Sequence, residues 1–303
     1  MKLVHLSDLH FGREKPQLTI NLLKVLKGID PQAVMISGDV TQSASHSEYR
    51  RLRTFLERLE KPYLIVPGNH DIAGVQLFER FFYPWRKWKY YVSENLEPRM
   101  TLADARVLGI NSARRLGCHR DWSRGRISSS QLAAMKTWFE RVSPDALKVV
   151  VAHHPFWLPE EFEKKRGLIG NVNRAIKQLG ESSVDLILGG HAHVVFAEVV
   201  NGMVVSHAGT SISNRRISGH PNSFNLIEGD SKRLEITEWQ WFGKEFLPTY
   251  HHSFLKETSQ NASGWKLQDK DSVIEKAVKS SSDSSQVPDG RNEYESNKRQ
   301  VRE

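Results

Sequence analysis

Short runs of apolar residues recur along most of the chain. Several of them contain β-branched residues, as buried strands do. The runs that we predict as strands cover residues 3–6, 33–36, 63–66, 106–110, 149–152, 184–188, 194–200, 203–207, 223–227 and 233–241. The dipeptide Asn201-Gly202 between two of these runs is the strongest short signal for a β-hairpin.

Between several of these strands, apolar residues recur at helical spacing. Residues 18–26 and 49–59 show this pattern. Ser128 is followed three positions later by Gln131, a capping-box pattern that predicts the start of a third helix through Phe139. The order strand, helix, strand, helix, strand, followed by consecutive strands, predicts an α/β fold, specifically an α/β sandwich with antiparallel additions.

The composition changes near residue 258. From there Ser, Asp, Lys, Gln, Asn and Glu predominate, and large apolar residues are few. Such a segment cannot bury enough apolar surface to offset the entropy lost on ordering. We therefore expect one catalytic domain over residues 1–257 and a polar, disordered tail over residues 258–303, with a short helix over residues 273–278 as an open alternative.

Composition narrows the class of protein. Hydrophobic residues make up 39% and charged residues 26% of the chain, as in globular proteins. No run reaches the roughly 18 apolar residues of a membrane span, and the start lacks a hydrophobic leader, so we expect a cytoplasmic protein. The single cysteine, Cys118, excludes an internal disulfide and a cysteine-based zinc site. The net charge of +8 favours anionic partners, although a surface suited only to solubility would carry it equally well.

Residue types that bind metals follow five of the predicted strands. They are Asp8 with His10, Asp39, Asn69 with His70 and Asp71, His153 with His154, and His191 with His193. Because ligands bind beyond the carboxyl ends of strands in α/β sheets, we expect these five loops to converge. A pair of divalent cations needs a bridging carboxylate and several further ligands, and this set of residues supplies them.

The five motifs read Asp-x-His, Gly-Asp, Gly-Asn-His-Asp, His and Gly-His-x-His, and they occur in this order between residues 1 and 193. In this the chain resembles the calcineurin-like metallophosphoesterase family. The later segments Gly125-Arg126-Ile127-Ser128 and Pro221-Asn222-Ser223-Phe224-Asn225 are similar to its bacterial cyclic-nucleotide phosphodiesterase-like branch. The resemblance implies two packed mixed β-sheets flanked by helices, and hydrolysis of a phosphoric ester by a metal-bound hydroxide.

The same resemblance implies a ligand set for two divalent metal ions. Mn, Fe and Zn all accept mixed imidazole and carboxylate ligands, so we expect the ions to be Mn, Fe or Zn. One ion would be held by Asp8, His10, Asp39 and His193, and the other by Asp39, Asn69, His153 and His191. His154 is the alternative to His153, and the family pattern favours His153.

The resemblance also implies two catalytic residues. His70 would lie beside the phosphate, where it would stabilise developing charge or protonate the leaving oxygen. Asp71 would orient the His70 imidazole.

Other residues are candidates for contact with a substrate. Phe156 and Trp157 follow the fourth motif, and His207 ends a strand after the last one, although core packing is the alternative for each.

Residues 78–91 contain both aromatic and cationic side chains. These side chains could stack on a base, bind an acyl chain or contact a membrane surface, and packing on the core is the alternative. Candidate anion clamps are Arg124, Arg126, Arg215 and Arg216. The remaining histidines, at positions 5, 46, 119, 220, 251 and 252, are expected not to be ligands.

The favoured function is a binuclear phosphodiesterase that acts on a cyclic nucleotide, a glycerophosphodiester or a nucleotide-linked lipid precursor. In the second motif Asp39 is followed by Val40-Thr41, and the third motif ends in Asp71. Both features disfavour a protein phosphatase. A DNA or RNA nuclease is one alternative, because the opening residues 5–13 are also similar to those of double-strand-break repair exonucleases and the chain is basic. The other alternative is a binding module that is held together by metal ions and has no activity. The complete set of ligand positions disfavours this alternative.

Overall fold

In the computed structural model, which describes residues 1–72, 77–115, 123–258 and 263–273, strands alternate with helices before the chain continues as consecutive strands. The strands are β1 (Lys2–Leu6), β2 (Ala33–Ile36), β3 (Tyr63–Ile65), β4 (Arg99–Thr101), β5 (Ala105–Ile110), β6 (Leu147–Ala152), β7 (Leu186–Gly189), β8 (Phe196–Val200), β9 (Met203–His207), β10 (Ser223–Gly229), β11 (Arg233–Trp241), β12 (Phe246–Thr258) and β13 (Ser263–Ser272). The helices are α1 (Pro16–Ile29), α2 (His46–Leu59), α3 (Leu77–Phe82), α4 (Arg86–Tyr91), α5 (Ser129–Phe139), α6 (Glu160–Arg166) and α7 (Val172–Glu181), with a 3-10 turn at Asn69–Asp71.

The strands form two mixed sheets. The first has the order β13-β12-β11-β10-β1-β2-β3, in which β1, β2 and β3 are parallel and the strands from β10 onward are antiparallel. The second has the order β4-β5-β6-β7-β9-β8, with parallel central strands and an antiparallel strand at each edge. The predicted α/β sandwich of two mixed sheets flanked by helices is confirmed.

The alternation of side chains along each strand divides the core into layers. In β1, Leu3 packs between the two sheets with residues such as Val149 of β6, whereas its neighbour Val4 packs beneath α1 and α2. On the second sheet, Val150 faces away from Val149 and packs beneath α5 and α7. Because each of these strands is covered on both faces, its sequence is a continuous apolar run.

Helix α5 begins as the sequence predicts. The Ser128 hydroxyl accepts a hydrogen bond from the Gln131 backbone at 3.1 Å, and the Gln131 side chain accepts one from the Ser128 backbone at 2.7 Å, so the capping box is confirmed. Among the helices of the described residues, none combines the length and apolarity that crossing a membrane requires.

The boundary predicted at residue 258 is too early. Strand β12 continues to Thr258, and β13 pairs with it along its length. Trp265 of β13 is buried between the sheets, and its indole nitrogen donates to Asp185 at 3.0 Å. Because an edge strand with one solvent face needs few apolar residues, composition alone did not reveal it. Residues 274–303, and with them most of the segment 273–278, lie outside the described residues.

Candidate metal centre

The predicted ligands come from loops at the carboxyl ends of strands in both sheets. Strands β1, β2 and β3 of the first sheet lead to the loops at residues 7–12, 37–45 and 66–72. Strands β6 and β7 of the second sheet lead to His153 and His191. The His191 backbone nitrogen donates to Asp8 Oδ2 at 3.0 Å, which joins a loop of one sheet to a loop of the other. The site therefore lies at the edge that the two sheets share.

One group of donor atoms surrounds the carboxylate of Asp8. His193 Nε2 lies 3.2 Å from Asp8 Oδ1, and His10 Nε2 lies 3.7 Å from the same oxygen. The rings of His10 and His193 are adjacent, with centroids 5.3 Å apart. The ligand atoms of Asp8, His10 and His193 all lie within 4.8 Å of one another, close enough to bind one metal ion.

A second group of donor atoms surrounds Asp39. Its Oδ2 atom lies 3.3 Å from His153 Nε2 and 3.8 Å from His10 Nε2. His191 Nδ1 is 3.3 Å from His153 Nε2. Asn69 opens the 3-10 turn, and the next residue, His70, donates its backbone hydrogen to Asp39 Oδ1 at 2.9 Å. Asp39 thus contacts donors of both predicted metal positions.

The chemistry of these donors fits a cation. Asp8 Oδ1, His10 Nε2 and Asn69 Oδ1 are buried and have no hydrogen-bond partner among the described residues. A buried polar atom without a partner is unfavourable, and bound metal ions would provide partners for all three of these atoms. Carboxylate, amide and imidazole donors together are suited to Mn, Fe or Zn.

The backbone at the predicted ligands adopts left-handed conformations. Positive φ angles of 51°, 44°, 49°, 68° and 59° occur at Asp8, His10, Asp39, His191 and His193. Such conformations cost about 1–3 kcal/mol each for residues other than glycine and concentrate at functional sites. Five of the seven predicted ligands therefore adopt backbone conformations that residues other than glycine do not favour.

Glycines let the ligand loops approach one another. At Gly38, whose φ is +90°, a β-carbon would lie 2.8 Å from the Gly68 nitrogen and 2.9 Å from His153 Cβ. At Gly190, a β-carbon would collide with Ser7 Oγ and lie 2.8 Å from Asp8 Oδ2. Larger residues at these positions would separate the loops that carry the ligands.

Burial and the charges within the cluster shift the pKa values of its carboxylates and imidazoles. Burial opposes ionisation of Asp8 and Asp39, but His193 and His153 respectively outweigh it and hold both carboxyl pKa values well below the usual range. Burial lowers the pKa of His10, and burial together with His153 lowers the pKa of His191 to about 3. Burial lowers the pKa of His153, but the Asp39 carboxylate outweighs this effect and raises that pKa to about 9. Metal ions bind ionised carboxylates and neutral imidazoles, so a metal ion at His153 would displace a proton from its ring.

His153 and His154 differ in what their ring nitrogens bind. His153 Nδ1 donates to the Ser37 carbonyl at 2.8 Å, and its Nε2 atom lies beside Asp39, where it could bind a metal ion. His154 Nε2 donates to the Ser123 carbonyl at 2.7 Å, and its Nδ1 lies 2.8 Å from the Ser112 hydroxyl. Because both nitrogens of His154 are engaged within the protein, His153 is the better candidate ligand, as the family pattern favours.

His70 lies at the partly exposed side of the cluster. Its ring is 5.1 Å from that of His10, in an edge-on arrangement. Its Nδ1 donates to the Gln42 carbonyl at 2.8 Å, and its Nε2 lies 2.9 Å from the NH1 atom of Arg215. Gln42 and Arg215 therefore orient this imidazole. Nothing in the sequence near His70 indicated the contact with Gln42, and Arg215 was predicted only as one of several anion clamps.

The family comparison agrees with this geometry. Residues 1–195 match the model of the family described as calcineurin-like phosphoesterase. The chain belongs to this family. It is therefore a metal-dependent phosphoric ester hydrolase.

Individual relatives are more distant. The phosphoesterase is 24% identical over 220 residues to a probable glycerophosphodiester phosphodiesterase GpdQ of Arcobacter nitrofigilis, an alignment that covers 68% of this chain and 76% of that protein. It is 27% identical over 117 residues to a probable cyclic nucleotide phosphodiesterase of Vesicomyosocius okutanii, covering 36% of this chain and 45% of that protein. A dimetal phosphatase of Danio rerio has a similar structure, with a TM-score of 0.57 at 12% identity over 82% of this chain and 98% of that one. This last likeness concerns the fold alone.

The prediction that Asp71 orients the His70 imidazole is wrong. The Asp71 carboxylate accepts hydrogen bonds from the Gly68 backbone at 2.8 Å and from the Thr41 backbone and hydroxyl, both at 2.8 Å. Since a 3-10 turn has about three residues per turn, consecutive side chains point in different directions, and Asp71 faces the protein interior. Through these hydrogen bonds Asp71 joins the second and third ligand loops. Burial and the Asp39 carboxylate raise the pKa of Asp71 to about 7, although the hydrogen bonds from Gly68 and Thr41 oppose this shift.

Two predicted substrate contacts of the phosphoesterase are wrong. Phe156 is 2% exposed and packs in the core beneath α5 and α7. His207 is 1% exposed and stacks on Phe196 at 4.5 Å. His207 ends β9 and pairs with Gly189 of β7, so its ring lies beneath the ligand loop. Trp157 is partly exposed, with its ring edge-on to Phe196 at 5.5 Å, and stays a predicted contact.

The aromatic and basic run over residues 78–91 has two parts. Trp88 is fully buried in the core beneath α1 and α2, as core packing predicts. Phe78, Phe82, Tyr83 and Tyr90 are exposed. Of the histidines predicted not to be ligands, His5 and His252 are buried in the core, and His119 lies outside the described residues.

Proposed function

We propose that the phosphoesterase is a binuclear phosphodiesterase. The observation that carries this proposal is the position of Asp39, whose carboxylate lies between His153 Nε2 at 3.3 Å and His10 Nε2 at 3.8 Å. A carboxylate between two groups of imidazoles is the arrangement that a pair of cations needs. The unpartnered buried atoms Asp8 Oδ1 and Asn69 Oδ1 support the same reading.

Each residue of the centre would have a defined role. Asp8, His10 and His193 would hold one cation, and Asn69, His153 and His191 the other, with Asp39 common to both. When bound, the cations supply Lewis acidity, which polarises the phosphoryl oxygens and lowers the pKa of water. Ser37 and Arg215 would orient His153 and His193, since their carbonyl oxygens accept from the Nδ1 atoms at 2.8 and 2.6 Å.

His70 would contact the reacting phosphoryl group. It is partly exposed, whereas Asp8, His10 and Asp39 are buried, so it lies on the side from which a substrate can approach. Its imidazole would stabilise charge on a phosphoryl oxygen or give a proton to the leaving oxygen. Both roles need the Nε2 atom, because Nδ1 is engaged by the Gln42 carbonyl.

The proposed substrate is a small or medium phosphodiester. Two relatives are named as a glycerophosphodiester phosphodiesterase and a cyclic nucleotide phosphodiesterase, and these names support a diester over a monoester. The net charge of +8 is compatible with any of these anions and also with a nucleic acid. A nuclease is therefore an outcome that the experiment must be able to reveal.

The experiment is a substrate panel on protein stripped by a chelator and then reloaded with Mn, Fe or Zn. The panel contains glycerophosphocholine, a 3′,5′-cyclic nucleotide, bis(p-nitrophenyl) phosphate, p-nitrophenyl phosphate and a single-stranded oligonucleotide. We expect no turnover after chelation, and recovery on a small diester with two metal equivalents bound. Full turnover without metal, or a single equivalent at full activity, would contradict the binuclear proposal. Preference for the oligonucleotide would identify a nuclease.

A further inference from the structure

Arg215 contacts both ends of a row of histidines at the centre. The row consists of His70, His10 and His193, with neighbouring ring centroids 5.1 and 5.3 Å apart. The Arg215 carbonyl accepts a hydrogen bond from His193 Nδ1 at 2.6 Å. Its guanidinium NH1 lies 2.9 Å from His70 Nε2 and donates to the Gln42 side chain at 3.2 Å. Backbone and side chain of one residue thus contact a candidate ligand and the candidate catalytic histidine.

The loop that carries Arg215 is held in place by its own hydrogen bonds. The Thr210 hydroxyl donates to the Arg215 carbonyl at 3.0 Å, and the Arg215 nitrogen donates to the Ser213 hydroxyl at 3.2 Å. The Asn222 side chain donates to the carbonyls of Thr210 and Ser213 at 3.0 and 2.8 Å. A guanidinium on such a loop is positioned before any ligand arrives, which reduces the entropy cost of binding.

The charge of Arg215 is not neutralised by a carboxylate. The side-chain partners of its guanidinium are the His70 imidazole and the Gln42 amide, and within the described ranges no Asp or Glu lies within ion-pair distance of it. By contrast, Arg51 pairs with Glu14 at 2.9 Å. A partly buried guanidinium without a counter-ion retains its full charge for an anion.

The exposure of the surrounding residues gives the direction from which an anion would arrive. Asp8, His10 and Asp39 form the buried floor of the centre, with at most 1% of their surface exposed. His70 and Arg215 are partly exposed above it. The guanidinium therefore lies between the floor and solvent, on the path of a substrate.

We propose that the Arg215 guanidinium binds a nonbridging phosphoryl oxygen of the substrate. It exchanges its contact with His70 Nε2 for that oxygen, and the released Nε2 atom takes up a proton from solvent, so that it can donate to the same phosphoryl group. The ligand class comprises phosphodiesters, the monoester product and inorganic phosphate, all of which present the anionic oxygens that a guanidinium binds in a forked geometry. This inference rests on the proposed phosphodiesterase function and names a residue that binds its substrate.

The test compares three variants of Mn-loaded protein: Arg215→Gln, Arg215→Lys and, as a matched control, Arg58→Gln. Arg58 lies in the last turn of α2, carries the same charge and is exposed. The measurements are metal content, the affinity for inorganic phosphate by calorimetry, and kcat and KM on bis(p-nitrophenyl) phosphate. We expect Arg215→Gln to weaken phosphate binding and to lower kcat/KM by about 10- to 100-fold each, the scale of a hydrogen bond between charged groups.

Arg215→Lys should recover part of both losses, because it restores the charge without the forked geometry. Metal content should not change in any variant, since His193 is oriented by a backbone carbonyl that every substitution retains. Arg58→Gln should behave as the unmodified protein.

Two results would overturn the inference. If Arg215→Gln binds phosphate and turns over the diester as the unmodified protein does, the guanidinium does not contact the phosphoryl group. If Arg215→Gln loses metal, Arg215 supports the centre instead of the substrate. Failure of the phosphodiesterase proposal would look different, because the unmodified protein itself would then be inactive on every diester while fully loaded with metal.

Discussion

The imidazole rings of His153 and His154 are nearly perpendicular, at 84°, with centroids 4.9 Å apart. The two residues are consecutive at the end of β6, so their side chains leave the strand on opposite sides. His153 directs its Nε2 atom to Asp39, and His154 is held by Ser112 and the Ser123 carbonyl. The strand thus directs one histidine toward the centre and the other into the supporting structure.

The first prediction follows from this difference. His153→Asn should remove at least one metal equivalent, because it deletes the donor beside Asp39. His154→Asn should keep both metals and lower the free energy of unfolding by about 1–3 kcal/mol, since Ser112 and Ser123 lose a buried partner. Metal analysis and urea denaturation of the two variants, each the other's control, measure both quantities. A His154→Asn protein that loses metal while His153→Asn retains it would reverse the assignment.

The second prediction concerns Asp39. Asp39→Asn should lower metal content and slow diester hydrolysis by at least about 100-fold, the upper range for changes even in the outer shell of a metal site. The amide replaces a negative charge that would otherwise be shared by two cations. Metal analysis and steady-state kinetics measure the effect.

A matched control is available in the same chain. Asp30 is exposed, pairs with Lys61 and has a φ of 53°, close to the 49° of Asp39. Asn tolerates this left-handed conformation, so Asp30→Asn should change neither metal content nor rate. Ordinary rates and two bound metals in Asp39→Asn would exclude Asp39 as the bridge.

The third prediction separates two roles of His70. His70→Ala should preserve metal content, because its backbone hydrogen bond to Asp39 at 2.9 Å survives the substitution. If the imidazole protonates the leaving oxygen, the rate on an alkyl diester should fall by about 10²- to 10⁴-fold and that on a nitrophenyl diester distinctly less. Equal losses on both would indicate stabilisation of charge on the phosphoryl oxygens. No loss on either ester, with both metals bound, would remove His70 from the mechanism.

The fourth prediction concerns the last described strand. Trp265→Ala should lower the free energy of unfolding by about 3–5 kcal/mol, as removal of a buried aromatic side chain does. Leu267 of the same strand is 37% exposed, so Leu267→Ala should change stability much less, and it serves as the control. Denaturant unfolding measures both, and kcat below the unfolding transition should equal that of the unmodified protein. Unchanged stability of Trp265→Ala would show that the buried indole does not stabilise the fold.

The sequence by itself predicted the fold and the candidate ligands because both depend on short local patterns. Covered strands produce continuous apolar runs, and in parallel arrangements their carboxyl ends meet at one edge, so Asp8, Asp39 and His153 were predicted as neighbours before their contacts were known. The hairpin at Asn201-Gly202 and the capping box at Ser128 were predictable for the same reason, since each is complete within a few residues.

Only the tertiary structure decided which partner each side chain contacts. The contact between His70 and Arg215 joins residues 145 positions apart, and the Gln42 carbonyl took the place predicted for Asp71. His207 could face the rim or the core at the end of its strand, and the packing of β7 against β9 placed it in the core. These outcomes depend on which loops and strands converge in space, a long-range property that the residues next to each position do not encode.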